Sequence, residues 1–183
     1  MQSSIKQSQY QNAGFIVRFL AFLVDHLILW LPFLLISLFI TLGSSSTSDL
    51  LVKLGILTLY YLIIQEILWL FYQTLTTSYW GGSLGKEAFN LTILNEKGEK
   101  LSLRDSLFRY VIGYTVSGLV FGLGFLWIIK DDQMRAWHDL LIGSKVVVKE
   151  KDYILGVLSL LGLVLVSSIF IFILVFKIVS FMN

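Results

Sequence analysis

The sequence predicts an all-α integral membrane protein with three transmembrane helices, a re-entrant or interfacial helical hairpin, and a small cytoplasmic two-strand β element. Composition is the first ground for this. Hydrophobic residues make up 56% of the 183 residues, with a mean hydropathy of +0.80, more apolar side chain than a water-soluble fold of this size buries. Run length is the second. Phe15 to Leu42, Leu50 to about Thr76 and Tyr153 to Phe181 each exceed the roughly 20 apolar residues that cross a hydrocarbon core about 30 Å thick. The distribution of lysine and arginine is the third, and it orients the chain.

Residues 1–12 read as a polar cytoplasmic tail, 13–150 as the membrane domain and 151–183 as an additional C-terminal span. The first run is a retained span rather than a signal peptide, because its apolar core is too long and no small-x-small cleavage site follows it. The loop "GSSSTSD" carries no basic residue, which places it outside and the N-terminus inside, at the cell membrane. The next loop holds Lys86, Lys97, Lys100 and Arg104 and returns inside.

The segment Phe108 to Ile129 decides the topology. If it crosses, Lys130, Arg135, Lys145, Lys149 and Lys151 lie outside, and the basic residues divide eight inside to six outside; if it returns, they divide twelve to two. The second division fits the positive-inside bias far better. "SGLVFGLG" supplies glycines at which a buried helix can bend back. The other use of Gly118 and Gly122 is a small-xxx-small packing face on a straight helix.

Phe89 to Leu94 and Ser144 to Lys149 read as short strands. Two such strands are marginal alone and gain by pairing, which requires both loops on one face. Between them Ser102 reads as a helix N-cap with Asp105 three residues on, and Arg104 and Arg109 as reaching the lipid headgroups.

Charges inside the apolar runs are the candidate functional residues, since an aspartate at a helix centre costs roughly 2.5–3.5 kcal/mol on insertion scales. Arg18 and Asp25 lie seven residues apart, two turns on nearly one helix face. Glu66 lies in the second span at a similar expected depth to Asp25, so the two carboxyl groups could carry protons or coordinate a cation. Arg18 serves equally as a structural clamp. With two histidines and no cysteine a zinc site is not indicated, and no cofactor is called for. "GGSLGK", ending in Lys86, lacks the glycine and hydroxyl positions of a phosphate-binding loop. No nucleophile-base pair suggests an enzyme, and no basic stripe with interleaved aromatics suggests nucleic acid.

Taken together, "AGFIVRFLAFLVDHLIL", "YWGGSLGKEAFNLTIL", "LRDSLFRYVIGY" and "LGFLWIIKDDQMRAWHDLLIGSKVVV" resemble the RDD family of small bacterial membrane proteins. The arginine and two aspartates that name the family match Arg18, Asp25 and Asp139, the last within Trp137, His138, Asp139. The resemblance implies either transport, with sodium/proton antiport proposed for some members, or an accessory, regulatory or scaffold role beside another membrane protein; with the intramembrane carboxylates Asp25 and Glu66 as its polar centre, the first becomes movement of a small cation coupled to protons. Three spans form a small bundle, so a pathway would need a homo-oligomer or a membrane-protein partner in the lipid bilayer. A returning hairpin brings Asp139 to the level that Arg18 reaches, and the two are expected to pair, leaving Asp25 without its nearest cation. On that reading, exchanging the charges in Arg18→Asp plus Asp139→Arg restores the accumulation lost in each single variant.

Overall fold

The first span, Phe15–Gly43, runs for 29 residues, about 43 Å at 1.5 Å per residue. It passes through Pro32, which a membrane helix tolerates because neighbouring groups satisfy the freed carbonyl. The structure, a computed structural model, describes residues 10–182. The second span, Thr47–Trp80, is longer at both ends than the apolar run suggests, because its caps are polar. Ser46 accepts from the Asp49 amide at the start, and Gly81 takes a left-handed conformation (φ 87°) at the end, donating its amide to the Thr77 carbonyl. The third span is Ile154–Met182. It packs against the first, and its Gly156 lies against the ring of Phe89, which follows the second span, too closely for a Cβ.

The β element has three strands, not the expected two: β1 (Gln11–Asn12), β2 (Leu91–Asn95) and β3 (Ser144–Val148), in the order β1-β3-β2 and antiparallel throughout. β2 and β3 pair along their full length, from Leu91 opposite Val148 to Asn95 opposite Ser144. β1 comes from the last residues of the polar tail, a segment with no strand signature of its own. It exists because the free edge of β3 takes it, with Gln11 opposite Val148. Residues 1–9 of that tail lie outside the described residues. The sheet and the first span share a core of Ala13, Ala21, Val24, Phe89, Leu91, Ile93, Leu101, Val146 and Val148.

This pairing settles the path of the fourth apolar segment. β1 precedes the first span and β2 follows the second, so the two share a face; β3 pairs with both, so residues 103–129 return to that face. The segment starts at Ser102, whose hydroxyl accepts from the Asp105 amide as expected. It then runs through a helix at Leu103–Phe108, a π-turn at Arg109–Gly113 and a helix at Tyr114–Leu119. It bends by 101° before Leu123–Ile129. The bend lies at Phe121 and Gly122, both with positive φ, and Phe121 is fully exposed at the tip (100%).

The glycines divide their roles differently from a packing face. A Cβ on Gly118 would meet nothing within 4 Å, whereas one on Gly124 would come within 2.5 Å of the Ser117 Cα. Gly124 thus lets the two arms of the hairpin close, and the small-xxx-small reading of Gly118 and Gly122 does not hold. After the hairpin, Asp131 and Arg135 form a half-buried ion-paired turn, and a short helix at Trp137–Ile142 leads into β3.

Single cysteines at Asp132, Lys149 and Lys97, in a chain with no native thiol, should label from one side of the membrane and a cysteine at Lys53 from the other. Labelling of the Asp132 position from the Lys53 side would contradict the returning hairpin.

Candidate functional site

Asp139 is the third residue of the short Trp137–Ile142 helix, where its Oδ2 accepts from the Ala136 amide at 3.1 Å. That local role fixes the carboxylate, and two arginines from elsewhere converge on it. Arg18 Nη1 lies 2.6 Å from Oδ2 and Arg109 Nη2 lies 2.6 Å from Oδ1. Arg18 spends its remaining donors on the Ala13, Met134 and Val146 carbonyls. One carboxylate with no exposed surface therefore ties the first span, the hairpin, the approach to the Trp137 helix and the start of the sheet.

The expected pairing of Arg18 with Asp139 is present. Arg109, placed at the headgroups by the sequence, is instead 1% exposed. The π-turn that begins at Arg109 changes the phase of the helix there, which periodicity does not reveal. Burial acts to raise the Asp139 pKa, but the neighbouring positive charges outweigh it and hold the carboxyl well below the usual carboxylate range. His138 is pushed down to about 3, chiefly by burial. It is therefore neutral at pH 7, wedged between Tyr114 and Phe125 with Ser117 as its polar partner. Trp137 packs near Trp127, against the returning arm.

Asp25 sits in a second closed cage. The second span presents Tyr72 and Gln73, which donate to Oδ1 at 2.8 Å and Oδ2 at 3.1 Å. Gly81 then reverses the chain, and Ser83 and the Gly85 amide donate to Oδ2 and Oδ1. Gly85 is required at that approach, since a Cβ there would lie 2.1 Å from the Ala21 carbonyl oxygen. Lys86 Nζ stands 3.9 Å from Oδ2 while donating to Gln73 and Ser83. Arg18 is taken by Asp139, which leaves Asp25 without its nearest cation in sequence as expected, and a different cation replaces it. Lys86 is that cation, because the loop after Gly81 folds back onto the first span.

Asp25 and Glu66 are not brought together. Tyr72 meets Asp25, and Glu66 lies six residues from Tyr72, roughly 9 Å along the helix axis. Glu66 is exposed and, among the described residues, no hydrogen bond or ion pair holds it. It lines a cavity of about 670 Å³ between the first span, the second span and the hairpin. The walls are largely aromatic, with Phe19, Phe22, Trp69 and Phe125, and Arg18, Lys86, Arg109 and His138 also reach it. Phe15 to His26 on its wall spans about 16 Å of helix.

Arg109, Tyr72, Gln73, Ser83 and Gly85 were not singled out as site residues by the sequence. Tyr72 and Gln73 at the inner end of the second span are a visible polar signal for the Asp25 cage, but nothing local identifies their partner.

The RDD family model matches residues 12–143. Among curated proteins of Bacillus subtilis (strain 168), the chain is similar to the uncharacterized protein YxaI, at 33% identity over 150 residues, covering 75% of this chain and 97% of the relative. It is similar also to the uncharacterized membrane protein YteJ, at 34% over 144 residues, covering 77% of this chain and 83% of the relative. YckC is 30% identical over 143 residues. No solved structure matches.

Because Arg109 shares Asp139, the exchange Arg18→Asp plus Asp139→Arg would set the introduced cation against Arg109. It should leave membrane accumulation, measured by immunoblot, no better than in the single variants. Recovery to the wild-type level would show that Arg109 is dispensable to the cluster.

Proposed function

The chain belongs to the RDD family of membrane proteins, and from that premise we propose that it is a non-transporting regulatory or scaffold subunit that docks on another membrane protein. The observation that carries this reading is the state of Asp25. It has no exposed surface, accepts from four donors and faces Lys86. A carboxylate whose acceptor sites are all occupied has no room for a passing cation, and its release to a proton pathway would break the joint between two spans. The family aspartates act as joints and leave the outer faces of the spans for partners.

The third span supports the docking role. One side of it packs against the first span, while Leu155, Leu158, Leu161, Leu165, Phe172 and Phe176 are exposed, so its outer side is available to lipid or to another membrane helix. The basic residues collected beside the sheet favour a cytoplasmic N-terminus at the cell membrane. The Ser117–His138 contact is buried within the hairpin, with no Ser117 surface for a substrate, so it does not favour catalysis.

One observation favours the second reading, transport of a small cation coupled to protons. Glu66 is an exposed carboxyl group on the cavity wall with no hydrogen bond or ion pair among the described residues, the kind of group a proton relay uses.

Purified protein in sealed vesicles with an internal pH dye should show no sodium-dependent proton movement. A photoreactive residue at Leu158 or Leu165, both exposed on the third span, should give a discrete protein adduct in native membranes. A sodium-dependent pH change abolished by Glu66→Gln, with only lipid adducts at Leu158 and Leu165, would replace docking by transport.

A further inference from the structure

Arg109 has more hydrogen-bonding capacity than the protein uses. Its Nη2 is bound to Asp139, but among the described residues Nε and Nη1 are buried with no hydrogen-bond partner. Buried guanidinium donors left in that condition are costly, and a native structure generally provides an acceptor. The charge balance points the same way. Arg18 and Arg109 share the single Asp139 carboxylate, His138 is neutral at pH 7, and Lys86 is matched by Asp25. Among the described residues no second acidic group forms an ion pair with Arg18 or Arg109.

Arg109 also lies on the wall of the 670 Å³ cavity, whose volume falls within the range of about 300–1,000 Å³ usual for small-ligand sites. Much of the remaining wall is apolar or aromatic, including Phe15, Phe19, Phe125 and Leu126, with Arg18, Lys86 and Glu66 as its other charged side chains. A free inorganic anion would meet the charge but leave these walls unfilled, whereas a plain hydrocarbon chain would fill the walls and leave the guanidinium unpaired. Arg18 lies one turn into the first span, at the level of the membrane interface where lipid head groups sit. Glu66 also lines the cavity, and a carboxyl group disfavours an anion beside it, which leaves Arg109 to receive the charged end of a ligand.

We propose that this cavity holds one membrane amphiphile, seated by an anionic oxygen head group, phosphate or carboxylate, that neutralises the Arg109 guanidinium on the cavity wall while its hydrocarbon chain runs along the aromatic wall. The site is independent of whether the spans dock a partner. Phosphatidylglycerol and a long-chain fatty acid share the required chemistry, an anionic oxygen on an apolar chain.

The test is lipid retention by the purified full-length protein, read by native mass spectrometry after exchange into neutral detergent with phosphatidylglycerol, oleate or phosphatidylcholine added. Wild type should retain phosphatidylglycerol or oleate about tenfold over phosphatidylcholine, and which of the two dominates identifies the source of the head group. Arg109→Gln should remove the preference. Because that change disturbs the Asp139 cluster, Thr115→Trp gives a second reading. Thr115 is exposed on the cavity wall and makes no hydrogen bond to the cluster, so the indole should block retention in a protein that still folds. Equal retention of phosphatidylcholine by wild type would overturn the site. So would an anionic preference unchanged by Thr115→Trp, or release of the bound lipid by millimolar inorganic phosphate alone.

Discussion

A carboxylate removed from water has to be compensated by its neighbours, and the architecture of this protein follows from how two aspartates meet that demand. Desolvating an isolated ion costs several kcal/mol even after relaxation, and removing one partner of a buried pair costs roughly 3–5 kcal/mol. Asp139 meets the demand with two arginines, one from the first span and one from the hairpin. Those arginines are about ninety positions apart in sequence, so the carboxylate is satisfied only when both elements are in place. The returning hairpin is thus held by charge as well as by its apolar packing.

Asp25 performs the same service for the other half of the molecule. Its partners come from the second span and from the loop that follows it, so it joins two neighbouring spans and pins the chain reversal at Gly81. That reversal delivers β2 to the sheet, where it pairs with β3, which follows directly on the Asp139 helix. The two cages are therefore coupled through the sheet. The long outer portions of the spans have no comparable polar joints, and their exposed apolar faces suit contact with lipid and with other membrane helices.

The sequence carried the three spans, the return of the fourth segment, the β2–β3 pairing and the meeting of Arg18 with Asp139. Each of these rests on a signal that is local or additive: run length, the side on which basic residues collect, alternation with β-branched residues, and a topology that brings two charges to one level. What it hid depends on phase and on distant partners. Arg109 reads as a surface arginine unless the π-turn beginning there is known, and Lys86 reads as a loop residue unless the chain is seen to fold back at Gly81. The supposed match of Asp25 with Glu66 failed because apolar run length fixes depth only to within a turn or two. β1 was invisible because two polar residues become a strand only beside the edge that β3 leaves open.

The central claim is that Asp139 persists in the interior because the arginines compensate it, and a double-variant cycle on Arg109→Gln and Asp139→Asn, followed by chemical denaturation in detergent, addresses it most directly. The account predicts that the double variant loses less stability than the sum of the two single losses, by about 1 kcal/mol or more, since removing Asp139 alone strands a buried guanidinium that the second change takes away. Losses that add within about 0.3 kcal/mol would contradict it.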